Sequence, residues 1–172
     1  MSTERNVQLV KDFFSAMGRG DREALLSLTD EDIEWVIPGE EWPLAGTHRG
    51  HGGLARLLQE ASVSIETSYP APPEYAAQGD RVMVVGFATG TIKSTKRTFE
   101  DHWVFAITVR DGRLTKIREY IDTQALARAS QADRPSVGSA GIGRAIAVEL
   151  AARGGSPIDA TDNRDRRHID WT

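Results

Sequence analysis

Two alternating segments on either side of an Asp-Gly pair constrain the fold more than any other feature of the sequence. They are RTFEDHWVFAITV at residues 97–109 and RLTKIREYI at residues 113–121, and a third alternating segment, DRVMVVGFATGTI, precedes them at residues 80–92. Alternation of apolar and other residues is the pattern of a strand that buries one face. Because Asp-Gly between two such segments is typical of a tight hairpin, the sequence predicts an antiparallel meander.

The Asp-Gly connection allows two registers for the hairpin. A two-residue turn sets Phe105 against Arg118. A three-residue loop sets Phe105 against Ile117 instead, and it places Trp103 opposite Glu119. A shift by one residue moves every side chain of a strand to the opposite face. We expect the three-residue loop, because it pairs apolar residues with apolar residues.

This register gives the acids near the end of the last strand different surroundings. Glu119 faces the interior, diagonal to Asp101, whereas Asp122 faces outward or serves as the N-cap of the predicted helix DTQALARAS. Burial raises the pKa of a carboxyl group, and a neighbouring carboxylate raises it further. We predict an acid/base site with Glu119 as base and Asp101 as acid or oxyanion partner. The alternative is a non-catalytic module that binds a small molecule or dimerises.

Helical periodicity on both sides of these strands completes the domain. NVQLVKDFFSAMGRG and REALLSL predict two N-terminal helices, IEWVIPG a strand, and LARLLQEA a third helix. Two helices, a strand, a helix and a meander predict an α+β fold in which a curved sheet wraps the helices, over residues 1–130.

Residues 131–172 have a different character. A linker, SQADRPSVGSAG, is followed by a predicted helix, IGRAIAVELAARG, and by a polar end that we expect to be disordered. The GSAGIG within it is similar to a dinucleotide-binding turn, but no strand precedes it and no βαβ unit fits in the remaining residues. We therefore expect an appendage, and a folded domain when residues 135–172 are removed.

Composition excludes several classes of protein. The 172 residues carry a formal net charge of −4 and no cysteine, which excludes disulfides and thiolate metal sites and gives no reason to expect a nucleic-acid partner. His48 and His51 have no evident third ligand nearby, so we expect no metal and no organic cofactor. No segment has the length of a membrane span, and the N-terminus lacks the apolar region of a signal peptide, so we expect a cytoplasmic protein.

The segment from IEWVIPG to PLAGTHRG, together with the closing VRDGRLTKIREYIDT, resembles the SnoaL-like branch of the nuclear transport factor 2-like (NTF2-like) superfamily, over roughly residues 5–130. The resemblance implies a cystatin-like cone, in which a curved antiparallel sheet surrounds a pocket closed by the N-terminal helices. It also implies a homodimer across the outer face of the sheet, where we expect Val104, Arg118 and Tyr120 to meet a second copy.

Three relatives in that superfamily suggest particular chemistries. In EDHWVF, Asp101 matches the neutral oxyanion-hole aspartic acid of ketosteroid isomerases, whose tyrosine and base positions hold Phe13 and Ile37 here. In IREYID, Glu119 matches the catalytic aspartate of limonene epoxide hydrolases. SnoaL-type polyketide cyclases use one aspartate near the end of this strand, which corresponds to Glu119 or Asp122. The resemblance thus implies a cyclase, isomerase or hydrolase for a polyketide-, terpenoid- or steroid-like substrate.

Apolar side chains from several elements are predicted to line the pocket and bind a small hydrophobic ligand. Trp35 shares one face of its strand with Ile37, and Trp42 lies in the following loop, where it can cover the pocket. The predicted ligand-binding set is Phe13, Met17, Trp35, Ile37, Trp42, Leu58, Trp103 and Phe105.

Overall fold

The computed structural model describes residues 2–131, and these residues form four helices and seven strands. In chain order the elements are α1 (Thr3–Arg19), α2 (Arg22–Leu28), β1 (Thr29–Ile37), β2 (Gly46–Arg49), α3 (Gly50–Ser64), β3 (Ile65–Ser68), β4 (Glu74–Gln78), β5 (Arg81–Ile92), β6 (Thr98–Arg110), β7 (Arg113–Tyr120) and α4 (Thr123–Ser130). None of these helices is both long and apolar enough to cross a membrane. The predicted linker, helix and disordered end of the appendage lie outside the described residues, apart from residue 131.

Side chains at the helix ends determine where the helices begin and end. Gly20 follows α1 in the left-handed conformation, with φ of 67°. The Asp21 carboxylate accepts the N–H of Ala24 at 3.1 Å and caps α2. In the same way, the Asp122 carboxylate accepts the N–H of Ala125 at 2.9 Å and caps α4. The N-cap interpretation of Asp122 is therefore confirmed.

The strands form one sheet, strongly curled into a half-barrel, in the order β2-β1-β7-β6-β5-β3, with β4 also paired to β5. Neighbours within the described residues are antiparallel except for β1 and β7, which run parallel. The buried cluster on the inner face includes Val10 and Phe13 of α1 and Leu54 and Leu57 of α3. The predicted α+β fold with N-terminal helices inside a curved sheet is confirmed. The parallel pair differs from the expected antiparallel sheet, and the long chain between β1 and β7 makes it possible.

The hairpin between β6 and β7 has a two-residue turn, so the predicted three-residue loop is wrong. Asp111 and Gly112 both have positive φ, 49° and 74°, and Arg110 pairs with Arg113 across the turn. Positive φ at both central residues is the signature of a type I′ turn, whose twist matches that of the two strands. By itself, this turn would invert every side chain of β7 relative to the predicted register.

A β-bulge in β7 compensates for that inversion. Leu114 and Lys116 pair with consecutive residues of β6, so Thr115 between them has no partner of its own. The hydroxyl of Thr115 donates to the carbonyl of Thr108 at 3.3 Å. The extra residue switches the alternation once more, and side chains beyond the bulge return to the face on which they were predicted.

The turn and the bulge together shift the pairing of β7 by two residues. Glu119 pairs with Phe105, whereas the predicted register paired it with Trp103. Since a shift of two preserves the face, Glu119 still points to the interior and is only 8% exposed. The prediction of the face is confirmed, and the prediction of the neighbour is wrong.

The outer face of the sheet carries an apolar row. Val85, Val104 and Tyr120 are register partners across β5, β6 and β7, and Val85 and Tyr120 are each 49% exposed. The guanidinium of Arg118 lies 5.5 Å from the centre of the Tyr120 ring. An exposed apolar row at the centre of a sheet face is able to pair with itself about a two-fold axis. We propose that this face forms a homodimer.

Replacing Val104 by glutamate is expected to give a folded monomer, because a carboxylate at the centre of the row is costly to bury in an interface. Light scattering of the wild type and the variant over a range of protein concentrations measures the change. Gln78→Glu adds the same charge at an exposed position of β4 and should leave the mass unchanged. A monomeric wild type at the highest concentration would remove the proposal.

Candidate active site

A cavity of about 170 Å³ lies between the inner face of the sheet and three of the helices. Its lining is mostly aliphatic and aromatic, with two carboxyl groups, one phenol and one threonine hydroxyl among the side chains. The lining residues are Met17, Trp35, Ile37, Trp42, Leu44, Leu57, Leu58, Ala61, Thr67, Tyr69, Ala88, Phe99, Asp101, Trp103, Phe105, Glu119, Ile121 and Leu126.

Glu119 is held in this cavity by one hydrogen bond. The indole N–H of Trp35 donates to Oε1 of Glu119 at 2.7 Å, and both residues are buried. The parallel pairing of β1 with β7 sets Trp35 opposite Ile117, two residues before Glu119 on the same face. Oε2 has no hydrogen-bond partner among the described residues, so it is the atom that can exchange a proton with a ligand.

Burial raises the pKa of Glu119 to about 8. Desolvation is the largest cause, the Trp35 hydrogen bond opposes it, and the negative charge of Asp101 adds a smaller increase. A carboxyl group with this pKa is present in both protonation states near neutral pH, which is the condition for proton transfer in either direction.

Asp101 is the second acid of the cavity, and it is anchored differently. Its Oδ1 accepts the backbone N–H of Asp122 at 2.8 Å, and the residue is 6% exposed. Desolvation raises the pKa of Asp101, as does the charge of Asp122, while the N–H bond from Asp122 and the nearby His102 lower it. Asp101 thus joins the end of β7 to β6 at the point where α4 begins.

The shift in register separates the two acids. Glu119 pairs with Phe105, which is four residues from Asp101 along β6, or roughly 13 Å at about 3.3 Å per residue. The predicted register gave about half that separation. The charge of Asp101 makes the smallest of the three contributions to the pKa of Glu119, which agrees with this spacing. The backbone positions of the two acids are therefore farther apart than predicted, while both side chains line the same cavity.

Trp103 lies between these positions, and Gly86 makes room for it. Gly86 pairs with Trp103 across β5 and β6, and a Cβ at Gly86 would be 2.2 Å from Cζ2 of the indole. The ring therefore lies flat over the backbone of β5, which explains why a strand interior carries glycine here. The Nε1 of Trp103 is buried and has no hydrogen-bond partner in the part of the chain that the structure describes.

Tyr69 is a residue of the cavity that the sequence analysis missed. It lies in the irregular segment 69–73 between β3 and β4, and its ring meets the Trp103 ring edge-on at 6.3 Å. Desolvation raises the pKa of Tyr69, and the charges of Glu119 and Asp101 raise it further, so the phenol remains a hydrogen-bond donor at neutral pH. The proline-rich segment has no periodicity that indicates an inward side chain.

The structure brings most of the predicted site residues together. Seven of the eight predicted ligand-binding side chains line the cavity, as do Glu119 and Asp101. Phe13 does not line it, because it lies in the core behind Trp35, with ring centres 6.0 Å apart. Asp122 is exposed and caps α4, so its carboxylate serves the helix rather than the cavity. The functional roles of the lining residues remain predictions.

Within the described residues, no group of three or more histidines, aspartates or glutamates is placed to hold a metal ion. His48 donates from its Nε2 to the carbonyl of Leu44 at 2.9 Å. The Nε2 of His51 lies 3.2 Å from the hydroxyl of Thr29. The two histidines thus contact different parts of the backbone and do not converge.

Stability should depend on pH through Glu119. Its pKa is raised in the folded state, so the folded protein binds the extra proton and loses stability as pH rises from about 4.5 towards about 8. Glu119→Gln should remove this pH dependence. At pH 9 its free energy of unfolding should exceed that of the wild type by several kcal/mol, because each unit of pKa shift corresponds to about 1.4 kcal/mol. Urea denaturation at pH 5 and pH 9 measures the difference. Glu100→Gln, at an exposed position of β6, is the control, and equal stability of wild type and Glu119→Gln at pH 9 would contradict the prediction.

Gly86→Ala should destabilise the protein by about 1–3 kcal/mol, because the added methyl group overlaps the Trp103 ring. Chemical denaturation followed by tryptophan fluorescence measures both the stability and the surroundings of the ring. Gly52→Ala is a matched control, since a Cβ there has no neighbour within 4 Å, and it should be neutral or stabilising. A Gly86→Ala variant as stable as the control would show that Trp103 is free to move aside.

Comparisons with known proteins agree with this architecture. A family model described as the SnoaL-like domain matches residues 10–117. A crystal structure of an NTF2-like protein from Burkholderia xenovorans LB400 is 71% identical, with a TM-score of 0.74 and a match over 76% of this chain and 99% of that one. A second crystal structure, TerC co-crystallised with polyporic acid, is 29% identical, with a TM-score of 0.63 over 73% of this chain and 97% of that one.

A sequence relative extends the match to another organism. An uncharacterized protein of Mycobacterium tuberculosis is 22% identical over 120 residues, which are 70% of this chain and 91% of the relative. The family model covers more than half of the 172 residues, and the Burkholderia protein matches over nearly its whole length. The resemblance found in the sequence is thereby confirmed: the chain belongs to the SnoaL-like domain family and has the NTF2-like fold.

Proposed function

We propose that this protein is an acid/base enzyme that needs no cofactor and moves a proton on a small hydrophobic substrate. The observation that carries the proposal is Glu119, a buried carboxyl group in an apolar cavity with one oxygen held by Trp35. Uncompensated burial of a carboxyl group costs stability, and such groups concentrate at functional sites. If this position had only a structural role, an apolar side chain would stabilise the protein more than a buried carboxyl group does.

The proposed chemistry is proton abstraction next to a carbonyl group. The Glu119 carboxylate takes a proton from the carbon beside the carbonyl, the C–H electron pair forms a carbon–carbon double bond, and the carbonyl electrons move to oxygen. In an isomerase, the enolate takes the proton back from the Glu119 acid at a different carbon. In a cyclase, the enolate carbon attacks a second carbonyl group of the substrate, and the Glu119 acid protonates the new alkoxide. In a hydrolase, the Glu119 carboxylate instead takes a proton from a water molecule, whose oxygen attacks the substrate. Burial favours the protonated form of Asp101, and in that form its carboxyl group is able to donate a hydrogen bond to an oxygen that gains negative charge.

The relatives support the fold and an organic ligand without fixing the reaction. Two crystal structures that share the fold at 22% identity are described as a candidate polyketide cyclase and a candidate isomerase, and at this identity they support the fold alone. TerC, at 29% identity, was co-crystallised with polyporic acid, which supports an organic ligand in the same fold. We therefore propose a cyclase, isomerase or hydrolase, and identification of the substrate will distinguish the three.

A binding module without catalysis is the second candidate. The fold positions that resemble catalytic residues of ketosteroid isomerases hold Phe13 and Ile37 here, and both side chains are buried and apolar. A cavity with only two acids is also able to hold a ligand without reacting with it. The two functions differ in one measurable property, which is proton exchange between the bound ligand and water.

Glu119→Gln should abolish proton exchange while leaving the fold intact. Exchange of carbonyl-adjacent protons for deuterium, followed by NMR in D₂O on a panel of small ketones, measures the activity directly. Since positioned acid/base groups contribute about 10²- to 10⁴-fold, the rate should fall by that factor. The wild-type rate should rise with pH and level off above the Glu119 pKa of about 8.

Glu100→Gln serves as the control for this assay, because it removes an exposed carboxylate from the outer face of β6. A Glu119→Gln variant with full exchange activity would reject Glu119 as the base. A wild type that binds ketones but exchanges none of their protons would favour the binding module.

A further inference from the structure

The indole N–H of Trp103 is a buried polar group of the cavity wall that the proposed chemistry does not use. Trp103 is 6% exposed, lines the cavity, and its Nε1 has no hydrogen-bond partner among the described residues. The indole of Trp35, by contrast, gives its N–H to Glu119. A buried donor without an acceptor is costly, so native proteins rarely keep one without a reason.

We propose that the Trp103 N–H binds the carbonyl oxygen of the substrate, and that the substrate is a single-ring ketone. The inference rests on the proposed function in that both use the same cavity and the same carbonyl group. It adds the residue that holds the oxygen and the size of the molecule that fits.

The position of Trp103 suits this role. Asp101, Trp103 and Phe105 alternate on the inner face of β6, and Glu119 pairs with Phe105. Along β6, Trp103 therefore lies midway between Asp101 and Phe105, the residue that pairs with Glu119. Gly86 fixes the ring against β5, so the donor is preorganised rather than recruited by the ligand.

The neighbours of the indole indicate how a ligand reaches it. In the absence of a ligand the Nε1 atom is closed to solvent, so a neighbouring side chain must move when an acceptor binds. Tyr69 contacts the Trp103 ring edge-on, is 61% exposed, and lies outside the regular strands. Among the aromatic neighbours of Trp103, it is the one whose displacement disturbs the least packing.

The size of the cavity limits the substrate. An apolar cavity of about 150 Å³ holds one benzene ring, and this cavity measures about 170 Å³ with a wall of mostly aliphatic and aromatic side chains. One ring with a short oxygenated substituent matches such a space, so we expect a fused-ring ligand to bind less tightly. Flat faces of Trp103 and Phe105, whose ring centres are 5.0 Å apart, favour a planar ligand.

A matched pair of probes isolates the hydrogen bond. Acetophenone carries a carbonyl oxygen where α-methylstyrene carries a CH₂ group of similar shape, and only the first can accept from the indole. Full-length protein with ¹⁵N-labelled tryptophan gives four indole signals, which Trp→Phe variants assign. Acetophenone should move the Trp103 indole proton downfield, whereas α-methylstyrene should not.

Affinity measurements with variants provide the second readout. The wild type should bind acetophenone about 2- to 12-fold more tightly than α-methylstyrene, the contribution of one neutral hydrogen bond. Trp103→Phe should lose this preference and keep its affinity for α-methylstyrene. Tyr75→Phe removes a polar group from a partly buried aromatic residue of β4 that does not line the cavity; it is the control and should keep the preference.

The outcomes separate this inference from the proposed function. A Trp103→Phe variant that retains the preference, or an indole signal that both probes move equally, would overturn the role of Trp103. Equal or tighter binding of the fused-ring ketone 2-acetylnaphthalene would overturn the size limit. If the wild type exchanges no ketone protons but acetophenone still shifts the Trp103 indole signal, the proposed enzymatic function is rejected and the binding role of Trp103 stands.

Discussion

One β-bulge at Thr115 determines which side chains of β7 reach the cavity. The type I′ turn at Asp111 and Gly112 has the twist that suits a two-stranded hairpin, but it leaves β7 with the wrong alternation. The bulge inserts one unpaired residue and reverses the alternation, so that Ile117 and Glu119 face inward. Without that residue, Arg118 and Tyr120 would lie in the core, and the acid of the cavity would lie in water.

The inward position of Glu119 depends in turn on Trp35. A carboxyl group in an apolar wall requires at least one donor, and the indole N–H of Trp35 supplies it at 2.7 Å. This contact crosses from β1 to β7, the parallel pair of the curled sheet. The donor fixes one oxygen and lowers the pKa, while desolvation raises it further than the donor lowers it. The same residue therefore positions the acid and limits how far its pKa rises.

Trp35 and Trp103, two tryptophans of the cavity wall, thus differ in whether the indole N–H has an acceptor. Trp35 has an acceptor within the protein, whereas Trp103 has none among the described residues. Both rings are buried, so the difference lies in the neighbouring strand rather than in exposure. β7 places a carboxylate beside Trp35, and β5 places the bare backbone of Gly86 beneath Trp103. A wall with one satisfied and one free donor is asymmetric, and that asymmetry orients a ligand that carries a single acceptor.

The sequence by itself determined the fold class, the helix cap at Asp122, and the inward face of Glu119. These properties depend on periodicity and on local hydrogen bonds between residues a few positions apart. Only the tertiary structure decided that Glu119 pairs with Phe105, that Phe13 lies behind the wall, and that Tyr69 belongs to the cavity. Alternation with a period of two cannot distinguish registers that differ by two residues, and an aperiodic loop such as 69–73 gives no direction for its side chains. The neighbours of a buried acid are therefore known only once the strands are paired.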